Sequence, residues 1–201
     1  ARDLDTAMGP DGSLYFHNGG CTIYRYTPAG KLERMAGLAS GPTGDGSTCR
    51  AFTSPIPTDA PALTTSLPGV TASTVDRAGV LFIATDATAI YTVAPGESVL
   101  RLFAGSATAG PCHPAPNNTT QLRSCAVPPE NTPALGTPLP FILGLKHGYD
   151  GRLYVAFSDR VSVIDAPAPS INGSNEYIVP SEDGSELYLF NSAGRHQRTL
   201  H

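Results

Sequence analysis

The chain has 201 residues, a formal net charge of −4, 15% charged and 40% hydrophobic residues, 21 glycines and 19 prolines. Its 13 lysines and arginines are scattered over the whole length, which excludes the basic stripe of a nucleic-acid binder. No apolar run reaches the ~18 residues of a membrane-spanning helix, so no membrane insertion is expected.

Glycines and prolines separate short apolar runs, and no window of about 12 residues keeps a helical apolar period free of them, so the sequence reads as all-β. The first unit opens on the strand remnant 4–8. A turn follows at Gly9-Pro10-Asp11-Gly12, then the strand Leu14-Tyr15-Phe16, the strand from Ile23-Tyr24, the turn at Pro28 and a strand closing on Ala36-Gly37. The insert 38–66 contains Gly44-Asp45-Gly46 and no spaced acidic ligands after it. A second unit, 67–105, repeats the order: strand 69–75, the turn Asp76 to Gly79, strand 80–84, Ile90-Tyr91, Pro95 and a closing Ala104-Gly105. The Pro-rich insert 106–138 follows. A third unit, 139–180, has a strand at 141–145, the turn Asp150-Gly151, Leu153-Tyr154-Val155, the strand 160–164 and Pro167, without the closing Ala-Gly. The turn glycines Gly12, Gly79 and Gly151 lie 67 and 72 positions apart, and Ile23 and Ile90 each follow their turn glycine by eleven.

Four antiparallel strands joined by tight turns and repeated in tandem describe a propeller blade, because one small sheet cannot cover its own two faces. The expected fold is a partial β-propeller of about three four-stranded blades. The inserts are expected as disulfide-stapled loops between them. Cys112 and Cys125, close together in a Pro-rich stretch, are expected to pair, which leaves Cys21 with Cys49; four cysteines allow three pairings, and four free buried thiols are the alternative. Disulfides place the chain in an oxidising compartment. Asn117, Asn118 and Asn172 begin Asn-x-Ser/Thr triplets in expected loops, where glycans could attach. No leader-like segment is present, as expected of a mature chain or an excised fragment.

The units resemble the NHL repeat: Pro68-Gly69-Val70-Thr71-Ala72-Ser73-Thr74-Val75-Asp76 matches its first strand, and Gly79-Val80-Leu81-Phe82-Ile83-Ala84-Thr85-Asp86 its turn and second strand. Residues 183–201, with Glu186-Leu187-Tyr188-Leu189-Phe190 and Gly194-Arg195-His196, resemble the junction between the propeller and the YD-repeat shell in teneurins and bacterial RHS proteins. That resemblance implies propeller blades over 1–180 and the first shell hairpin over 181–201. It also implies an extracellular or cell-surface parent that serves adhesion or toxin delivery.

Chemistry-bearing groups are dispersed. His17, His113, His147, His196 and His201 form no metal or nucleophile motif. Asp11, Asp76 and Asp150 sit at turns, where an Asp side chain bonds nearby amides. Asp86 and Asp159 end strands where some propellers hold a ligand, Glu182-Asp183 reads as a solvated turn, and the recurring Tyr15, Phe82 and Tyr154 read as packing between blades. No catalytic residue, metal or cofactor is expected. The leading function is a non-catalytic structural and interaction module that binds protein partners or neighbouring domains. One alternative is a propeller-type lyase or lactone hydrolase with a channel metal. Another is a subunit of an extracellular assembly whose blades stack between chains. Three blades cannot close a ring, so either further blades precede Ala1 or a second chain completes it; two copies head to tail would make six.

Overall fold

The computed structural model describes residues 5–17, 20–38, 49, 56, 59–86, 89–106, 128–129, 132–148, 150–165, 170–171, 177–180, 186–191 and 195–200. Among them every regular element is a β-strand. The chain divides into two compact units, Ala1–Ile164 and Asp165–His201.

The first unit contains three antiparallel sheets. The first is a meander of β1 (Asp5–Met8), β2 (Leu14–His17), β3 (Ile23–Tyr26) and β4 (Leu32–Ala36). The second has the order β5-β9-β8-β7-β6, with β5 (Ala60–Pro61), β6 (Val70–Val75), β7 (Leu81–Thr85), β8 (Ala89–Val93) and β9 (Val99–Gly105). The third is β10 (Gly144–His147), β11 (Leu153–Ala156) and β12 (Val161–Ile164).

The first turn of all three sheets is built alike. Gly12, Gly79 and Gly151 have φ of 77°, 85° and 80°, a left-handed conformation that costs glycine least. Each closes a turn by donating to the carbonyl three residues back, of Gly9, Asp76 and Gly148. The turn aspartates each accept a backbone N–H: Asp11 from Ser13, Asp76 from Val80 and Asp150 from Arg152. The first two sheets share a finer mark. Their third and fourth strands slip register at matching places, after Ile23 and after Ile90.

Strand alternation builds two cores. Along β7, Leu81 and Ile83 point into a cluster with Ala7, Tyr15, Ile23 and Ala36 of the first sheet. Phe82 and Ala84 point the other way, into a cluster with Leu145, Leu153, Val155 and Phe157. In β8, Tyr91 and Val93 join the first cluster and Ile90 the second. The middle sheet is therefore buried on both faces, and β7 is buried at every position, as its unbroken apolar run suits.

Several details differ from the sequence reading. The second sheet has five strands and the third three described strands, where four each were expected. The fifth strand comes from the end of the first insert: Ala60 and Pro61 pair with Leu100 and Val99. The insert is thus partly sheet, because β9 would otherwise leave an unpaired edge. Both inserts end in the same way. Gly37 donates to the Ala62 carbonyl and Gly105 to that of Ala134. In the third sheet the first strand runs Gly144–His147, three residues later than expected; the register that pairs Gly144 with Ala156 and His147 with Leu153 aligns it to β11.

The second unit is a four-stranded antiparallel sheet of β13 (Ser170–Ile171), β14 (Tyr177–Pro180), β15 (Leu187–Phe190) and β16 (His196–Leu200). β14 and β15 are paired neighbours lying on either side of the 180/181 division drawn from the sequence.

Candidate functional site

Each sheet of the first unit carries two kinds of face. One kind points toward the following sheet: Tyr15 and Ile23 in the first, and Phe82 and Ile90 in the second, are buried against the next sheet. The other kind points toward the preceding sheet. In the second sheet it comprises Val75, Leu81, Ile83, Tyr91, Val93 and Leu100, all buried in the first cluster, with Leu102 packed beside them.

Strand pairing transfers those positions to the first sheet. Val75 pairs with Leu81 as Met8 pairs with Leu14; Ile83 pairs with Tyr91 as Phe16 with Tyr24; and Tyr91 pairs with Leu102 as Tyr24 with Arg34. The matching face of the first sheet is thus Met8, Leu14, Phe16, Tyr24, Tyr26 and Leu32, with Arg34 as its one charged member. Phe16 and Tyr24 stack across the strands at 5.8 Å between ring centroids. On this face Met8 is 64% exposed, Leu32 59% and Tyr26 49%.

The third sheet shows the converse. Tyr154 occupies the position of Phe82, Ala156 that of Ala84 and Val161 that of Ile90. Ile90 is fully buried, whereas Val161 is 64% exposed. The same face carries partly buried Tyr154 and Ala156 and exposed Val163 and Lys146. The Tyr154 hydroxyl donates to Asp150 at 2.8 Å, and that bond, with the Arg152 amide, holds the Asp150 carboxyl below its ordinary value. Asp11 is lowered by the Ser13 amide and hydroxyl. Both aspartates are spent on their turns.

The remaining residues singled out from the sequence are dispersed. Cys21, buried in the first core, is bonded to exposed Cys49, as expected, with Cα atoms 5.2 Å apart. Cys112, Cys125, Asn117, Asn118, Asn172, His113, His201, Glu182 and Asp183 lie outside the described residues. His17 is buried at the end of β2. His147 lies 5.4 Å from the Phe82 ring, and its amide donates to Thr74 Oγ1. His196 is exposed in β16, and Asp159 pairs with Arg160 at 3.1 Å. Half-buried Asp86 accepts from the Gly69 amide; burial outweighs that bond and raises its carboxyl to about 6. Among the described residues, no three His, Cys, Asp or Glu side chains come together as a metal site.

The sequence reading recognised the recurring Tyr15, Phe82 and Tyr154 but missed the opposite face. Its signal was present in the alternation of Tyr24 and Tyr26 about Arg25. A second missed signal lies in the inserts: Pro61-Ala62-Leu63 and Pro133-Ala134-Leu135 stand at matching distances before Leu67-Pro68 and Leu139-Pro140, and Leu67 and Leu139 are both buried.

No protein-family model matches the chain, and no curated protein matches it. Two crystal structures of the extracellular domain of BT4673 from B. thetaiotaomicron align over 100% of this chain and 23% of theirs. One has a TM-score of 0.43 at 9% identity and the other 0.41 at 11%. The chain thus spans under a quarter of those domains, and a likeness at this level carries no argument about function.

Proposed function

We propose that the chain is a run of blades from a β-propeller-like repeat and serves as a non-catalytic structural and interaction module of a secreted or cell-surface protein. The observation that carries this reading is the reuse of one junction: equivalent residues join the first sheet to the second and the second to the third. What the repeat presents at those positions is apolar and aromatic surface, suited to packing and partner binding. The aspartates it repeats are engaged in turns.

The Cys21–Cys49 bond supports an oxidising compartment. The likeness of 67–86 to the NHL repeat and of 183–201 to the shell junction of teneurin and RHS proteins supports a parent of that kind, in adhesion or toxin delivery. Function on a fold of this type must be argued from its surfaces.

Metal analysis tests the non-catalytic reading against the lyase or hydrolase alternative. The chain, purified from medium containing calcium and zinc and then dialysed, is expected to hold far less than one equivalent of either by elemental mass spectrometry. A stoichiometric, dialysis-resistant metal would overturn the scaffold reading.

A further inference from the structure

The first and second sheets are joined by a hydrogen-bonded seam. Val70, which opens β6, donates its amide to the Gly20 carbonyl, ahead of β3, at 2.8 Å, and its side chain lies in the first core with Cys21 and Ile23. The residue before it, Gly69, is held from both sides by Asp86, which follows β7. The Asp86 amide donates to the Gly69 carbonyl at 2.7 Å, and the Asp86 carboxyl accepts the Gly69 amide. The fit is close: a Cβ on Gly69 would stand 2.7 Å from Asp86 Oδ2. We infer that the Asp86–Gly69 clasp is an acid-sensitive device that tightens the seam between the first and second sheets when the carboxyl is protonated and loosens it when the carboxyl is ionised.

The seam offers an ionised carboxylate little. Asp86 Oδ1 is shielded without a hydrogen-bond partner, and so are Thr22 Oγ1, two residues past Gly20, and Thr71 Oγ1, two past Gly69. A shielded carboxylate oxygen without a donor is costly, and protonation removes the charge that makes it so. No opposite charge compensates. The strands β6, β7 and β8 carry no charged side chain, and their one titratable group is Tyr91, buried in the first core. Toward this end of the first sheet the titratable residues are His17 and Asp5, paired across β1 and β2. Burial raises the Asp86 carboxyl to about 6 against the Gly69 bond that lowers it, and no charged neighbour takes part. Freed from the seam, the carboxyl returns toward its ordinary 3.8. The closed seam therefore holds the proton more tightly than the open one, so opening becomes easier as pH rises from about 4 through 6.

The test is residue-resolved hydrogen exchange on the whole chain and on Asp86→Asn, at about pH 5 and about pH 7.5, corrected for the intrinsic exchange rate at each pH. In the wild type, protection of the Val70 and Asp86 amides is expected to fall roughly 3- to 10-fold from the lower pH to the higher, after discounting for partial solvent screening. The amides of β11, remote from the seam, are expected to change little. Asparagine keeps an oxygen for the Gly69 amide and carries no charge. In that variant the seam amides are expected to hold the wild type's acid protection at both pH values. Seam protection in the wild type that does not fall with pH overturns the clasp. So does a pH dependence that survives Asp86→Asn, which would assign it to another group such as His17. The junction itself is read from the same data. If the Val70 amide stays protected but indifferent to pH, the joined sheets stand and only the acid-sensitive clasp falls. If it exchanges freely at both pH values while β7 and β8 stay protected, the seam is not formed and the blade reading falls with it.

Discussion

At Asp86 the fold places a carboxyl where it is poorly solvated. Its Oδ1 is shielded and has no hydrogen-bond partner among the described residues, and burial raises it to about 6. The carboxyl binds its proton more tightly folded than unfolded, so stability falls as pH rises from about 4 through 6. The charged form is a cost carried at neutral pH and relieved by acid. Asp86→Asn is expected to stabilise the chain at pH 7.5 by about 1–2 kcal/mol, discounted for partial solvent screening, and to have almost no effect at pH 3.5. Urea midpoints at the two pH values check this; an equal effect at both would show that the charge is not the cause. Gly37 shows a different residue-scale constraint. Its φ is +93°, and a Cβ there would run into the Cys21 carbonyl and the Thr22 Cα. The Ala36-Gly37 that closes the first unit is thus a requirement for close approach to the segment that leads into β3.

A strand's cost of damage depends on which neighbour covers it. Phe82 and Tyr154 hold one repeat position. Phe82 lies in the second core, in edge-to-face contact with Phe103 at 5.1 Å, while Tyr154 is only partly buried. Phe82→Ala is expected to cost about 3–5 kcal/mol by the usual scale for buried aromatics. Tyr154→Ala is expected to cost under about 1 kcal/mol. Chemical denaturation compares them, and equal losses would mean that the third sheet's outer face is covered within the chain. The five-stranded second sheet belongs to this scale too. Its edge strand β5 is too short to read as a strand from Ala60-Pro61 alone, and only pairing with β9 makes it one.

Across the whole molecule, the Cys21–Cys49 bond ties the first sheet to the insert that leads into the second. It closes a loop of sequence separation 28, for which chain entropy gives roughly 3–4 kcal/mol. Reduction, or the double substitution of both cysteines by serine, is expected to lower the unfolding free energy by about that amount, read from guanidinium midpoints. No change would show that the bond only decorates an already fixed loop. The same scale decides which sheets are covered: stacking buries the middle sheet of the first unit on both faces.

Much of this was legible in the residues themselves. The turn glycines Gly12, Gly79 and Gly151 and their aspartates mark the repeat, because left-handed turns and capped amides are local demands that only a few residue types meet. The all-β class follows from the same spacing, whereas the four cysteines left three pairings open and the structure shows Cys21–Cys49. What the tertiary structure alone decided is which face of each strand meets which neighbour. Leu81 and Phe82 are both apolar and adjacent, and nothing local says that one packs backward and the other forward. That assignment comes from sheet stacking, a non-local contact that alternation along a strand permits but does not direct. It puts Tyr15 and Leu81 in the first core and Phe82 and Leu153 in the second.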